Sequence, residues 1–360
     1  MKFFSLLYFC YISFTISFVC GLYFPPLSSS SKWEESSVEQ LGWNASAVEP
    51  LIQYLNSTNT KAFILLKDGK IVLENYLNGF QPDDYWYWAS AGKVLFTALT
   101  GICQQEGYCK VSNKVSEYCG PGWTSALIEK EDLITVQHLL SMTSGLDVTG
   151  LSLDPDTITY KQDAGTAWDY QHVFAKLMDV IVNATSTSGS VDRDDALALY
   201  NKYNREKLKV KVGMKGSFVD TDGHIVYWSD ARSMARYGIL SLSKGRWNEE
   251  VIINEHYFSE SITPSQELNE AYGYMWWLNG YESYLRPGYP QPIAGYVVPS
   301  APADAYFGMG KNTQRLHVVP SLGLVVVRLG DAWIEDDKSY AVSEFDEILW
   351  KNHLNNLVGV

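Results

Sequence analysis

A serine and a lysine three residues apart, Ser90 and Lys93, begin an apolar run in the segment YWYWASAGKVLFTAL, positions 85–99. A serine hydroxyl is a weak nucleophile at neutral pH and needs a neighbouring base. Residues three apart share one face of a helix, so the Lys93 amine can reach the Ser90 hydroxyl. The pair is either a nucleophile with its base, or a helix cap beside a solvated lysine.

The surroundings of this pair favour the catalytic interpretation. At about 100° per residue, Ser90, Lys93 and Thr97 gather on one helix face. Ser90 also falls in the expected first turn, where free N–H groups and the helix dipole favour developing negative charge. A lysine drawn out of water has its pKa lowered towards that of a useful base. The spacing alone decides little, because positions 29–32 and 241–244 repeat it in a serine-rich linker and at a polar helix end.

The elements that must position the pair come from both ends of the chain. Residues 61–77 form two β-type runs around Asp68-Gly69, a strong hairpin signal. Residues 314–330 repeat this pattern, with a turn at 320–323, and the segment 337–357 has helical spacing. Between these ends, most segments carry apolar residues three and four apart. We therefore predict an α/β (α+β) fold with an antiparallel sheet built from both chain ends, flanked by helices, and an inserted helical lobe.

This pattern also sets the expected domain boundaries. Residues 1–21 read as a signal peptide, because one lysine precedes an uncharged apolar run, and residues 22–40 as a linker. One hydrolase domain is expected over 41–355, with a body at about 41–105 and 250–355 and a helical lobe at about 106–249. The signal predicts a secreted or periplasmic protein. An uncleaved membrane anchor is the alternative, whereas the residues before Cys20 fit a lipid-attachment site poorly.

Charge and cysteine content narrow the partners and the compartment. The net charge is −13, from 28 basic and 41 acidic residues without a basic run, which argues against nucleic acid and anionic membrane surfaces as partners. Membrane contact is expected only through an uncleaved signal or a lipid anchor. Removal of the signal leaves Cys103, Cys109 and Cys119, with Cys109 and Cys119 the expected disulfide in an exported protein. Three small buried thiols are the alternative.

Several ordered motifs resemble one protein superfamily. WASAGKVLFTALTGICQQEG and the following ITVQHLLSMTSGL resemble the serine β-lactamases and penicillin-binding proteins. The resemblance is to the branch that holds class C β-lactamases, related esterases and 6-aminohexanoate-dimer hydrolases. It continues through AGTAWDYQH, SDARSMARYG, AYGYMWWLNG and VVPSLGLVVVRLG, and so spans nearly all of the mature chain.

The resemblance assigns roles to the first two motifs. It implies that Ser90 is the acylated nucleophile, Lys93 its activating base and Tyr170 a proton relay. The second motif of the family, W-x-Y-x-N, corresponds to Trp168, Tyr170 and His172, so a histidine replaces the usual asparagine. His172 is either a polar residue near the cleft mouth or a group for binding and proton transfer. Tyr170 as an ordinary core tyrosine is the alternative to its catalytic role.

The third motif of the family, K-T-G or H-x-G, falls at Gly308, Met309 and Gly310. Neither lysine nor histidine opens it here. The glycines would let a substrate lie close to the strand edge, and the resemblance implies a second oxyanion N–H near Lys311, beside that of Ser90. A plain glycine turn is the alternative. The Lys311 side chain can replace the missing cation or point to solvent.

These departures shape the predicted substrate. The family's third-motif lysine helps to hold a β-lactam carboxylate, and such a contact is worth about 1.5–3 kcal/mol. We therefore predict a serine hydrolase that cleaves a small-molecule ester or amide through an acyl-enzyme, with no metal or cofactor. The alternatives are a β-lactamase or a DD-peptidase acting on peptidoglycan stem peptides, and a weakly active binding or sensor ectodomain. Oligomeric state is not predicted.

Overall fold

The structure is a computed structural model that describes residues 21–28, 32–148, 150–186, 193–334 and 342–360, with the backbone alone at 193–194. The predicted signal peptide, apart from Gly21, and the serine of the 29–32 repeat lie outside the described residues. Among the described helices, none is both long enough and apolar enough to cross a membrane.

The described chain alternates short helices with strands. The helices are α1 Val48–Ser57, α2 Lys93–Gln105, α3 Ser116–Cys119, α4 Ile128–Glu131, α5 Val136–Leu140, α6 Lys176–Thr185, α7 Arg193–Asn204, α8 Val210–Val212, α9 Ala231–Leu242, α10 Glu255–Ser261, α11 Glu344–Ile348 and α12 Asn355–Val358. The π-helical segments are Arg205–Lys209 and Leu349–Leu354, and the 3-10 turns are Ala45–Ala47, Ala89–Gly92, Pro155–Thr157, His172–Ala175, Lys311–Thr313 and Pro320–Leu322.

The strands form one large sheet and several small ones. They are β1 Thr60–Lys67, β2 Lys70–Tyr76, β3 Trp86–Tyr87, β4 Leu146–Val148, β5 Ile158–Tyr160, β6 Ser217–Thr221, β7 His224–Ser229, β8 Arg246–Trp247, β9 Glu250–Val251, β10 Trp277–Leu278, β11 Ser283–Arg286, β12 Tyr289–Ala294, β13 Tyr306–Gly310, β14 Gln314–Val319 and β15 Leu324–Gly330. The large sheet has the antiparallel order β10-β13-β14-β15-β1-β2. Strands from both ends of the chain thus lie side by side, as the two hairpin signals predict.

Both hairpins of this sheet turn where the sequence indicates. Asp68 and Gly69 have φ values of 49° and 83° between β1 and β2, which matches the double positive φ of a tight hairpin turn. Gly323, with φ 58°, follows the turn between β14 and β15. The observed architecture is the predicted antiparallel sheet with flanking helices, so the fold class is confirmed.

Helices cover both faces of the large sheet. On one face, Gly238 lets α9 approach β15, because a Cβ there would lie 2.3 Å from Val325 Cγ1. On the other face, α1 meets the C-terminal helices through stacked rings of Tyr54 and Phe345, 5.6 Å apart. With both faces covered, β15 is buried along its whole length. Such a strand reads as a nearly continuous apolar run, LVVVRLG, which only Arg328 interrupts, rather than as an alternation.

The inserted region contains sheet as well as helix. A three-stranded sheet of order β3-β7-β6 joins the segment before Ser90 to strands more than a hundred residues later. Tyr87 in β3 lies opposite Trp228 in β7. This small sheet contacts the start of the Ser90 turn, because the Trp88 N–H donates to the Tyr227 carbonyl over 2.8 Å.

The segment expected to be a linker, 22–40, is packed on the body where the structure describes it. Trp33 is 3% exposed, and its indole N–H donates to the Gly69 carbonyl over 2.8 Å. Tyr23 N–H donates to the Asp68 carbonyl over 2.9 Å. The Arg236 guanidinium donates to carbonyls at Pro25 and Pro26. Burial of one tryptophan and several backbone bonds fix this segment, although its serine-rich composition suggests a linker.

The expected disulfide between Cys109 and Cys119 is wrong in this structure. Cys103, Cys109 and Cys119 are all free thiols. The neighbour of Cys109 is Cys103, whose pKa is raised by a hydrogen bond with the Cys109 thiol and by burial. The chain doubles back at the end of α2 and brings these two residues together.

Candidate active site

The nucleophile candidate lies in a strained turn. Ser90 belongs to the 3-10 turn Ala89–Gly92, directly before α2. The preceding residue, Ala89, has a φ of 47°, a left-handed conformation that costs a non-glycine residue about 1–2 kcal/mol. Trp88 anchors the turn, since it is fully buried and its indole N–H donates to Ser229 Oγ over 2.8 Å. The surrounding fold holds the strained geometry in place, as is common at functional sites.

Lys93 contacts the Ser90 hydroxyl directly. Lys93 Nζ lies 2.7 Å from Ser90 Oγ, and no carboxylate of the described residues pairs with this amine. Burial lowers the pKa of Lys93 from the usual 10.5 to about 7. A substantial fraction of the amine is therefore neutral at pH 7 and can accept the serine proton.

Aromatic rings complete the enclosure of this amine. Lys93 Nζ lies 4.7 Å from the ring centroid of Tyr170 and 4.5 Å from that of Phe174. The rings exclude water from one side of the amine, which is consistent with burial as the cause of its lowered pKa. The structure thus brings together the three residues that the sequence assigns to catalysis.

Tyr170 reaches this place on a well-anchored loop. The neighbouring Asp169 N–H donates to the Met142 carbonyl over 2.9 Å, and the Asp169 carboxylate pairs with Lys161 at 2.5 Å. Burial raises the pKa of the Tyr170 phenol. A hydrogen bond with Ser90 lowers this pKa, but by less than burial raises it. Tyr170 is therefore a protonated phenol beside Ser90 at neutral pH, suited to passing a proton rather than to removing one.

The glycines of the third motif allow β13 to approach the Ser90 turn. A Cβ at Gly310 would lie 2.6 Å from the Trp88 carbonyl oxygen, and one at Gly308 would lie 3.2 Å from that of Ala91. Any larger residue at 310 would push the strand away from the turn. The glycines thus allow the backbone of β13 to approach the backbone of the Ser90 turn, in addition to any room they leave for a substrate.

Met309 and Lys311 differ in what their side chains can do. Met309 is buried and lies opposite Arg315 of β14, on the face covered by the C-terminal helices. Its side chain points away from Ser90, so only its backbone can serve the site. Lys311 is exposed and lines the cavity that contains Ser90.

A cavity of about 370 Å³ opens in front of Ser90 and Lys93, and we call it the nucleophile cavity. It includes residues that the sequence analysis missed, because they come from distant segments and carry no motif. The Asn312 amide donates to the Tyr87 hydroxyl over 2.6 Å at its wall. This bond links the end of the third motif to the segment just before the nucleophile.

A second histidine also lies in the nucleophile cavity. His224 packs edge-on against His172, with ring centroids 5.1 Å apart. Partial burial, together with the positive charges of Lys93 and Lys311, lowers the pKa of His224. His172, which replaces the usual asparagine, therefore belongs to the cavity wall beside another imidazole.

Comparison with known proteins identifies a family for this chain. The sequence matches the family model described as Beta-lactamase over residues 51–332. A 6-aminohexanoate-dimer hydrolase from Paenarthrobacter ureafaciens is 27% identical over 124 residues, which are 34% of this chain and 31% of that protein. The match thus spans about a third of that relative's length.

Solved structures resemble the whole fold. A candidate 6-aminohexanoate-dimer hydrolase from Bacillus anthracis superposes with a TM-score of 0.65 at 16% identity, covering 85% of this chain and 84% of the other. A class C beta-lactamase mutant superposes with a TM-score of 0.59 at 15% identity, covering 83% and 94%. At these identities the likeness concerns the fold, whereas the family match covers most of the sequence. The chain belongs to the Beta-lactamase family of serine hydrolases.

Proposed function

We propose that this protein is an exported serine hydrolase that cleaves a small ester or amide through an acyl-enzyme. One observation supports it above all others: the 2.7 Å contact between Lys93 Nζ and Ser90 Oγ, with the pKa of the amine lowered to about 7. A nucleophile and a base in this relation are the minimum that acyl transfer requires.

In the proposed acylation step, neutral Lys93 accepts the Ser90 proton as Oγ attacks the substrate carbonyl carbon. The bond between Oγ and that carbon forms, and the carbonyl oxygen takes the electron pair as an oxyanion. The N–H groups of Ser90 and Lys311 are the proposed donors to this oxyanion. The oxyanion then re-forms the carbonyl as the bond to the leaving group breaks, and the proton held by Lys93 passes through Tyr170 to the leaving alcohol or amine, so that Lys93 is neutral again and Tyr170 stays protonated.

Deacylation repeats the chemistry with water. A water molecule gives a proton to neutral Lys93 and attacks the acyl carbon. The bond between that carbon and Ser90 Oγ then breaks, and Oγ takes up the proton from Lys93, directly or through Tyr170. The product is a carboxylic acid. His172 and His224 stand at the wall of the same cavity and are candidates for contacts with the bound acyl group.

The substrate class follows from the shape and lining of the cavity. Most of the surface beside Ser90 is apolar, and Gly308 stands at the motif position where the family has a lysine or histidine. The exposed Lys311 lines the same cavity and is our candidate replacement for that cation. The relative that acts on 6-aminohexanoate dimers by its name supports an amide as one candidate bond.

Replacement of the nucleophile tests the proposal. We expect Ser90→Ala to abolish both ester turnover and labelling by a fluorophosphonate probe, because both reactions need Oγ. The matched control is Ser241→Ala, which removes a serine with the same spacing to a lysine but a hydroxyl bonded to the Tyr237 carbonyl. Equal labelling of wild type and Ser90→Ala protein would contradict the assignment.

A substrate panel then distinguishes the reaction classes. Short-chain nitrophenyl esters, a chromogenic cephalosporin, a peptide ending in D-Ala-D-Ala and a 6-aminohexanoate dimer are compared by kcat/KM. We expect the esters or the dimer to be cleaved fastest. Faster turnover of the cephalosporin or the peptide would assign the protein to the β-lactamases or DD-peptidases, and no turnover at all would favour a sensor.

A further inference from the structure

A second cavity lies beside the catalytic tyrosine candidate. It has a volume of about 480 Å³ and runs between the loop 161–170 and the tip of the β11–β12 hairpin, and we call it the hairpin cavity. Tyr170 lines it, and the ring of Tyr170 also lies 4.7 Å from Lys93 Nζ. Tyr170 therefore belongs both to the surroundings of the Lys93 amine and to the wall of this second cavity.

The hairpin cavity contains a cation that has no anionic partner within the described ranges. Arg286 lines it, and its Nε is buried without any hydrogen-bond acceptor. Among the arginine side chains that the structure describes, Arg286 alone forms neither a hydrogen bond nor an ion pair. It stacks on Tyr289, with 3.7 Å from the guanidinium carbon to the ring centroid. This is unusual in a chain with 41 acidic and only 28 basic residues.

The other charges of the cavity leave Arg286 uncompensated. Lys161 and Asp169 both line it, but they pair with each other at 2.5 Å. Their charges cancel, so the wall carries one net positive charge. The indole N–H of Trp168 is a second buried donor of the lining that has no acceptor.

A guanidinium whose Nε is buried without a partner is costly, and a carboxylate is its best complement. The planar fork of arginine donates two parallel N–H bonds to the two oxygens of a carboxylate. Stacking on Tyr289 holds the guanidinium plane in place, which reduces the entropy lost when a ligand binds.

We infer that the hairpin cavity is a subsite for a carboxylate of the substrate, held by Arg286 beyond Tyr170. The preferred substrates are then anionic esters or amides, with the carboxylate at a distance from the scissile bond. The inference rests on the proposed function, because it names the substrate class of the same site. The substrate carboxylate would then bind at the β11–β12 hairpin, beyond Tyr170, rather than at the third motif, where the family's cation is missing.

Matched ester pairs test this subsite. On the acyl side, mono(4-nitrophenyl) glutarate is compared with 4-nitrophenyl valerate, which has the same chain length and no carboxylate. On the leaving-group side, 3-acetoxybenzoate is compared with phenyl acetate. We expect Arg286→Gln to lower the ratio of anionic to neutral kcat/KM by about 10- to 100-fold for one pair, the worth of a charge-assisted hydrogen bond. The affected pair identifies the side of the scissile bond.

Two further variants control for charge and geometry. Arg205→Gln removes the same charge from an exposed arginine that pairs with Glu206 and lines neither cavity, and it should leave the ratio unchanged. Arg286→Lys keeps the charge but loses the fork, so it should recover part of the ratio. An unchanged ratio in Arg286→Gln protein for both pairs, with Arg286 serving only to stack on Tyr289, would overturn the inference.

A binding measurement separates this inference from the proposed function. Glutaranilic acid and valeranilide, and 3-acetamidobenzoate and acetanilide, are titrated calorimetrically into Ser90→Ala protein with and without Arg286→Gln. We expect the arginine change to weaken only the anionic member of one pair, by about 10- to 100-fold. That result supports the subsite even if no ester is turned over, whereas Ser90-dependent turnover without anionic preference would overturn the subsite alone.

Discussion

Two buried cations lie in different environments of this molecule, and their neighbours differ in one respect. Lys93 approaches a serine hydroxyl and pairs with no carboxylate in the part of the chain that the structure describes. Arg315 in β14 approaches Asp346 in α11, with Nε 2.7 Å from Oδ1 and both side chains fully buried. The first cation has a lowered pKa, whereas the second holds the pKa of its partner down.

Almost every N–H donor of Arg315 has an acceptor, and we call Arg315, Asp346 and their hydrogen-bond partners the arginine centre. Besides Asp346, Arg315 donates to the Gly310 carbonyl over 2.8 Å and to Ser343 Oγ over 2.9 Å. Burial alone would raise the pKa of the Asp346 carboxyl, but the charge of Arg315 and a hydrogen bond from His317 outweigh it and hold that pKa far below its usual range. Buried charges that are paired in this way are typical of a structural role.

The same centre fixes the protonation of its histidine. Trp350 donates its indole N–H to His317 Nδ1 over 3.1 Å, so Nδ1 must be an acceptor. The ring proton is therefore on Nε2, which faces Asp346 Oδ1 at 3.2 Å. Burial lowers the pKa of His317, in agreement with a neutral ring. A neutral histidine here needs no second carboxylate.

The difference teaches how one fold separates stability from reactivity. A carboxylate next to Lys93 would stabilise the ammonium and raise the pKa of the amine, which would remove the base. The unpaired amine is the destabilising arrangement, and its benefit is a proton acceptor near pH 7. Three experiments test whether pairing is what separates the two cations.

The largest expected effect comes from Lys93→Met. Loss of the base should lower kcat/KM for a neutral ester by about 10³- to 10⁴-fold. The same change should stabilise the fold at pH 7 by about 1–3 kcal/mol, because an apolar side chain replaces a poorly solvated amine that still lines an open cavity. Steady-state kinetics and thermal unfolding measure the two effects.

The pH dependence of that stability gain has a definite sign. The folded protein holds the pKa of Lys93 below its unfolded value, so the amine destabilises the fold most below pH 7 and not at all above the unfolded pKa near 10.4. The gain from Lys93→Met should shrink as the pH rises from 7 to 10. The control Lys61→Met, which removes a lysine paired with Asp331 at 3.1 Å, should show no gain. A loss of stability in Lys93→Met protein at pH 7 would contradict the contrast.

The next largest effect is expected from Asp346→Asn. It leaves the Arg315 charge buried without its carboxylate, which should lower the free energy of unfolding by about 3–5 kcal/mol. Denaturant unfolding measures the change. The matched control Glu35→Gln breaks an ion pair with Lys32 whose side chains are 61% and 83% exposed, so its effect should stay below about 0.5 kcal/mol. Equal midpoints for the two variants would show that pairing at Arg315 is not what stabilises it.

The smallest expected effect is a pH profile of the wild-type enzyme. We expect kcat/KM for a neutral ester to rise about tenfold per pH unit below 7 and to level off above it, because only neutral Lys93 accepts the serine proton. His224→Gln controls for a histidine of the same cavity. An inflection near pH 10 would mean that Lys93 stays charged, and loss of the inflection in His224→Gln protein would identify His224 as the base.

Parts of this molecule that depend on local sequence could be predicted. The two hairpins of the large sheet follow from turn residues between β-type runs, and Ser90 and Lys93 meet because a single helical turn separates them. Tyr170 needed the resemblance, since nothing local brings its loop to Ser90. Its place beside Lys93 depends on backbone contacts with the segment at Met142.

The parts that escaped prediction depend on distant contacts. His224 and Asn312 belong to segments far apart in sequence, and only the folded sheet order brings them to one cavity. From the sequence, the glycines at 308 and 310 are expected to make room for a substrate. The structure shows that the Ser90 turn itself occupies the space beside them. Arg286 belongs to no motif. What distinguishes it is a buried Nε without an acceptor among the described residues, and a sequence does not show which donors lack an acceptor.

The bond from Arg315 to the Gly310 carbonyl has a consequence for the opposite end of the same peptide unit. The peptide between Gly310 and Lys311 is trans and planar, so its C=O and N–H point in opposite directions. Holding the oxygen therefore aims the Lys311 N–H, the proposed oxyanion donor, away from Arg315. Arg315, which is held by its own ion pair with Asp346, thus fixes the orientation of a backbone N–H group in the candidate active site.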